Sequence, residues 1–158
     1  MNTMNAIKLF RVGHWCYRKG IPVVPRLMYY LIYLIYNASV HMNAEIGEGT
    51  KFGYGGMGVV LHSNCRIGRN VYIAQQVTIG GHRAPFSAVP VIEDECFIGA
   101  GAKILGPVRI GTGSVIGANA VVIHDVPPHS VVVGVPARVI RKDIEIEDYF
   151  DWSTMEER

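Results

Sequence analysis

Aliphatic residues recur every six positions through the middle of the chain: Leu61, Ile67, Ile73 and Ile79, then Ile92, Ile98, Ile104, Ile110, Ile116 and Val122. In a chain that is 49% hydrophobic, ten aliphatics in ten slots is about a one-in-a-thousand outcome for a fixed phase. A step of six matches neither the helix period of 3.6 nor the two-residue alternation of a strand. It fits a coil with three flat sides, one hexapeptide to a side and eighteen residues to a turn. The aliphatic side chain points to the axis. The residue after it is small at Gly68, Ala74, Gly80, Gly99, Gly111 and Gly117, where the backbone must corner. Stacked turns lie about 4.8 Å apart with parallel pairing, so residues one turn apart become vertical neighbours. Ile46-Gly47 and Phe52-Gly53 keep the phase. The spacing therefore predicts a three-walled β prism of about four turns, from Ile46 to about Ile123.

The beat is broken twice. Phe52 to Leu61 carries three extra residues, within Gly53-Tyr54-Gly55-Gly56-Met57-Gly58, and Ile79 to Ile92 carries seven, within a stretch that begins Gly81-His82-Arg83. Walls that keep stacking accommodate extra residues by looping them outward, and excursions from a rigid scaffold are where function is usually placed. Beyond the prism, Asp125-Val126-Pro127-Pro128 stops the repeat, Val131 to Val133 reads as a strand, and residues 143 to 158 read as a short acidic helix or tail. The organisation expected is an N-terminal helical segment over 1–44, a prism with a closing strand over 45–141, and an acidic tail over 142–158.

Composition narrows the partners. A chain of 158 residues with 18% charged residues and a formal net charge of +2 suits one folded domain and excludes disorder, and so small a charge disfavours nucleic acid. Cys16, Cys65 and Cys96 are odd in number and far apart, with no metal-ligand spacing, so a reducing compartment is expected, without disulfide or zinc. Residues 1–44 hold Lys8, Arg11, Arg18, Lys19 and Arg26 and no acid. The apolar run Leu27 to Tyr36 is half of a membrane span. As a helix it sets Leu27, Leu31, Leu34 and Ile35 on one side beside Tyr29, Tyr33 and Tyr36. Such a helix either packs on the prism or a neighbouring subunit, or lies on an anionic membrane surface.

The runs Val77-Thr78-Ile79-Gly80-Gly81, Ile98-Gly99-Ala100-Gly101-Ala102-Lys103-Ile104-Leu105-Gly106, Asp125-Val126-Pro127-Pro128-His129-Ser130 and Gly134-Val135-Pro136-Ala137-Arg138 occur in the order used by a known class. From Ile46 to Arg141 the chain resembles the hexapeptide-repeat acyltransferases, in particular the serine acetyltransferases and their shorter relatives that acetylate sugars and polysaccharides. The resemblance implies an all-β fold, a left-handed parallel β-helix. It further implies a homotrimer, acetyl-CoA as co-substrate in the groove between neighbouring prisms, no metal, and a histidine that deprotonates the acceptor hydroxyl.

Carried over position by position, the resemblance gives Gly81, Ala100 and Ala118 the pantetheine arm; Arg138 or Lys142 can pair with the nucleotide phosphates or form a solvated basic end. Ala100 and Ala118 are one turn apart, as an arm lying along the prism requires. The Asp-His pair of the serine enzymes is replaced by the Gly53-Tyr54-Gly55 excursion, their loop histidine falls on Ala88-Val89, and their long N-terminal helical region has only forty-odd residues as counterpart. His82, two residues into the second excursion, and His62, at a corner slot beneath its root, remain as candidate bases. Tyr54 and Arg83 are the candidate acceptor contacts. His14, His41, His124 and His129 have plainer readings as turn and cap residues. The expected activity is acetyl transfer to a hydroxyl of a sugar or polysaccharide precursor, in the cytoplasm or at the inner face of its membrane, held there through the N-terminus. Serine O-acetylation and a non-catalytic trimeric scaffold are the alternatives.

Overall fold

The computed structural model describes residues 5–81 and 89–151. In it the ten aliphatic residues of the repeat are all buried, none more than 4% exposed. Each such isoleucine contributes about 1.5 to 3 kcal/mol on leaving water, so the axis is the main stabilising element of the chain. Around it stand three parallel walls, wound as a left-handed β-helix. The first wall stacks Ser39–Val40, Val60–Leu61, Thr78–Gly80, Lys103–Leu105 and Val121–Val122. The second stacks Glu45–Ile46, Arg66–Ile67, Val91–Ile92 and Arg109–Ile110. The third stacks Lys51–Phe52, Tyr72–Ile73, Phe97–Ile98, Val115–Ile116 and Val131–Val133, then turns back through the antiparallel strand Arg138–Arg141.

The register contains both interruptions. Ile104 pairs with Val122 one turn on, whereas Val40 pairs with Leu61 across one turn and three residues, and Ile67 with Ile92 across one turn and seven. The first wall begins at Ser39–Val40, six residues before Ile46 and within the stretch assigned to the N-terminal segment. Corners are tight: a Cβ added to Gly99 would lie 2.7 Å from both the Ala118 nitrogen and the Ile116 carbonyl oxygen, so no side chain fits there.

Two helices close the lower end of the prism. Helix α1, Ala6–Arg18, is capped by Asn5, whose side chain accepts the Ile7 N–H at 3.1 Å. It buries Ala6 and Phe10 in the same core as Phe52, and its Arg11 donates to the carbonyls of Ile46 and Gly47. Helix α2, Val24–Tyr36, has Pro25 in its first turn and stops at Asn37, which adopts the left-handed conformation at φ 49°. A Cβ on Gly13 would lie 2.9 Å from the Met28 Cβ, so the helices cross closely there. The buried edge of α2 is Ile32 and Tyr36, with Met28 and Tyr29 packed against the core. Of the side that the helical spacing groups together, Leu27, Leu34 and Ile35 are exposed. A helix apolar all round does not encode which edge it buries.

The acidic C-terminal stretch is only partly a tail. Ile144 and Ile146 are buried against Val115 and Val131 on the outer face of the third wall, and Ile146–Asp148 forms one 3-10 turn. Phe150 lies 4.6 Å from the Tyr72 ring and 4.8 Å from that of Phe97. Cys16, Cys65 and Cys96 are free and buried, and burial pushes the thiols of Cys65 and Cys96 up to about 12, which leaves them without nucleophilic character.

Candidate active site

The first wall carries the candidate chemistry because its two corners hold all the described candidates. At the corner leading in from the third wall, Ala100 and Ala118 stack one above the other, joined by the Asn119 N–H to the Ala100 carbonyl at 2.8 Å. Ala100 is half-buried and Ala118 exposed. Below them the first excursion, Gly53–Gly56, starts the same column, and at the top Gly134 accepts from the Val121 N–H at 3.0 Å while Ala137 donates to the Val121 carbonyl at 2.8 Å. Arg138 follows, exposed, its guanidinium on the Ala137 carbonyl at 3.0 Å. The column therefore runs about 20 Å along the prism, four turn spacings, lined by small residues and ending at a cation.

The first excursion is held rather than looped free. The Gly58 N–H donates to the last carbonyl of α2, Tyr36, at 3.0 Å, and the Asn5 side chain donates to the Phe52 carbonyl at 2.8 Å. Tyr54 takes a left-handed backbone at φ 51°, ψ 38°, and its side chain is 72% exposed. A tyrosine in that region of the backbone map is uncommon and marks a position fixed by its surroundings. Behind it lies Tyr72, whose hydroxyl pKa is raised, chiefly by burial and secondly by the Tyr54 charge.

The other corner, leading to the second wall, carries the histidines. His62 donates its backbone N–H to the Ile79 carbonyl at 2.9 Å, and the register of Leu61 with Ile79 sets it directly beneath Gly80, the root of the second excursion. Its ring nitrogen Nδ1 accepts the Asn64 N–H at 3.2 Å. Directly below stands His41, because Val40 pairs with Leu61. Tyr29 of α2 stacks on His41 at 5.1 Å and places its hydroxyl 3.3 Å from Ser39 Oγ. Burial first, and His62 second, hold the His41 pKa below its ordinary value. His41 and His62 are thus vertical neighbours, a pairing the sequence reading missed. The signal is their separation of twenty-one residues, one turn plus the three inserted ones.

Gly81, Ala100 and Ala118 were expected along one edge. They flank one wall instead: Gly81 follows the strand Thr78–Gly80 at the second-wall corner, and the alanines stand at the third-wall corner. The step of six fixes which residues turn corners, and the three corners look alike to it. His82 and Arg83 lie outside the described residues.

The remaining charged cluster is structural in character. A trough of about 670 Å³ between α1 and the second wall is lined by His14, Arg18, Glu45, Arg66, Glu93 and Asp94 among others. Its acids are engaged: Glu45 meets Arg66 at 3.3 Å, and Glu93 pairs with Arg109 while accepting the Thr112 N–H at 2.8 Å and its hydroxyl at 3.0 Å. The Thr112 backbone bond leads the causes that hold Glu93 below the usual carboxylate range. A carboxylate so saturated is a poor proton acceptor. His14 is tied to the Met42 carbonyl at 2.7 Å. Among the described residues no three His, Cys, Asp or Glu side chains converge as a metal site would need.

The family described as "Bacterial transferase hexapeptide (six repeats)" matches residues 90–124. The chain is 38% identical over 151 residues to the serine acetyltransferase of Synechococcus elongatus, covering 95% of this chain and 62% of that one. To the serine acetyltransferase of Bacillus subtilis it is 37% identical over 156 residues, covering 94% and 71%. Among solved structures, soybean serine acetyltransferase complexed with serine superposes with a TM-score of 0.79 at 38% identity, covering 85% of this chain and 56% of that one. The serine acetyltransferase of Brucella abortus in complex with coenzyme A gives 0.81 at 34% identity, covering 87% and 55%. The chain therefore spans a little over half to about seven-tenths of the length of these relatives. The sugar or polysaccharide acceptor expected from the missing Asp-His pair is overturned by this similarity. The likeness to enzymes named for serine runs through helices, prism and closing strand alike, over 94–95% of this chain.

Proposed function

Because this chain belongs to the serine acetyltransferase family, we propose that it transfers the acetyl group of acetyl-CoA to the side-chain hydroxyl of serine. The observation that carries this reading is the first wall itself, a small-residue column at one corner facing two stacked histidines at the other. The pantetheine arm lies along Ala100 and Ala118, with the nucleotide phosphates toward Arg138, where a guanidinium can pair with them. The thioester then points down the wall toward the root of the second excursion at Gly80 and Gly81.

The chemistry needs one proton acceptor and one oxyanion site. The serine hydroxyl oxygen attacks the thioester carbonyl as His62 takes its proton at Nδ1, displacing the weak contact from Asn64. Backbone N–H groups at Gly81 stabilise the oxyanion. The intermediate collapses with loss of the CoA thiolate, which receives the proton, so no covalent enzyme intermediate forms. His82 is the second candidate base, and Tyr54 and Arg83 contact the acceptor. Burial, and His62 second, hold the His41 pKa below its ordinary value, which disfavours a second positive charge beneath His62. The wall supplies one side of a groove, and a homotrimer in the cytoplasm, each prism facing its neighbour, supplies the other.

The test is the product mass from acetyl-CoA with serine and, separately, with nucleotide sugars. A gain of one acetyl group on serine supports the reading. Acetylation of sugars alone overturns it, and coenzyme A binding without turnover on any acceptor supports a non-catalytic scaffold instead.

A further inference from the structure

Helix α2 presents to solvent a stripe that a packed helix would bury. Val23, Leu27, Tyr30 and Leu34 follow one another at steps of four, three and four, which is one face of a helix, and their exposures run from 51% to 76%. Trp15 of α1, also exposed at 58%, adds an aromatic of the kind that favours the boundary between water and hydrocarbon. Arg26, in the first turns of α2, and Lys19, at the end of α1, are exposed, and residues 1–44 contain no Asp or Glu. Among the described residues no helix is long and apolar enough to cross a membrane, so an interaction with lipid here is one of lying on the surface.

We propose that α2 and the exposed end of α1 form a docking surface for an anionic lipid membrane. Apolar side chains enter the headgroup boundary, and Lys19 and Arg26 meet the negative lipid. Charge complementarity selects this occupant. Lys19 and Arg26 lie in a stretch of forty-four residues without a single acid, a surface that an anionic bilayer complements and a neutral one does not. Each basic residue near such a surface is worth about fivefold in binding, and the four-residue apolar stripe adds the depth that charge alone does not supply. The surface lies on the helices, apart from the proposed acetyl-transfer wall, so the two readings stand or fall separately.

The experiment is flotation of the full chain with vesicles of neutral phosphatidylcholine and with vesicles containing phosphatidylglycerol. The expected result is binding to the anionic vesicles that weakens with added salt, and at least tenfold weaker binding for Leu27→Glu/Leu34→Glu and for Lys19→Glu/Arg26→Glu. Because the first variant could fold poorly, Trp152→Phe leaves Trp15 as the one tryptophan, and its emission should shift to the blue on anionic vesicles only. Equal binding to both vesicle types, or none, overturns the proposal. So does a loss of oligomeric size in Leu27→Glu/Leu34→Glu without vesicle binding by the parent, which would assign the stripe to a second copy.

Discussion

Val60, Thr78, Lys103 and Val121 on the first wall and Tyr72, Phe97, Val115 and Val131 on the third occupy the same outward position, each just before an inward aliphatic. On the third wall the set is apolar throughout, two aromatics with two valines, and is roofed by Ile144, Ile146 and Phe150. On the first wall two valines stand with Thr78 and Lys103 in place of the aromatics, and the roof stops after the lowest strand, where Tyr29 covers Ser39 and His41. The inward half of each hexapeptide makes the prism, and the outward half decides whether a wall is sealed by the chain itself or left for another molecule. Stability and activity should therefore respond to opposite walls.

The largest separation is expected from His62→Ala. Removing a general base from the first wall should lower kcat by about a hundred- to ten-thousandfold, followed as coenzyme A release with serine as acceptor, while the melting temperature stays that of the parent. If kcat is unchanged, the base assignment is wrong and His82 is next to be replaced. The mirror variant is Ile146→Ala on the third wall. It deletes buried methylenes at about 2 to 4 kcal/mol, to be read from urea unfolding, with kcat per folded molecule retained. A variant that lost both properties together would show that the walls are coupled and the comparison false.

The inward half was legible by counting. An aliphatic every sixth residue fits neither the helix nor the strand period, and the insertions of three and seven show as slips of that count. The outward half was not. Ile144 and Ile146 alternate with Asp143, Glu145 and Glu147, so a stretch that averages acidic hides a two-residue apolar period that docks. His41 and His62 were hidden by the inserted three residues, which spoil the eighteen-residue interval that would have paired them. Helix α2 is apolar on every side, and which edge it buries is set by where Met28 meets Gly13, a contact no local pattern records. The acceptor was not legible from the missing Asp-His pair, the missing loop histidine and the short N-terminal region, because such local departures say less than a likeness that runs along 94–95% of the chain.

A smaller effect is expected where the first wall only makes room. Ala118→Leu places a bulky side chain on an exposed corner beside Ala100, at no cost to the core. It should raise KM for acetyl-CoA about tenfold, roughly 1.4 kcal/mol, with kcat and melting temperature near the parent values. The same substitution has no counterpart on the third wall, where the outward residues already touch a roof. An unchanged KM would remove the small-residue column from the donor site.

The smallest effect concerns the one place where the first wall is roofed. His41 sits under Tyr29, and burial, then His62, lowers its pKa in the folded chain. As pH falls through the ordinary histidine value near 6.5, the unfolded chain takes up this proton before the folded one does. Stability is therefore complete above that pH, declines as pH drops toward the folded value, and levels below it. His41→Phe keeps a ring for Tyr29 to stack on and removes the proton. Melting temperatures of the two proteins between pH 5 and 8 should run parallel above about 6.5 and diverge below it, with the variant the less sensitive to acid. Parallel curves throughout would mean that His41 titrates as it would in water, and that the roof over this end of the first wall leaves it fully solvated.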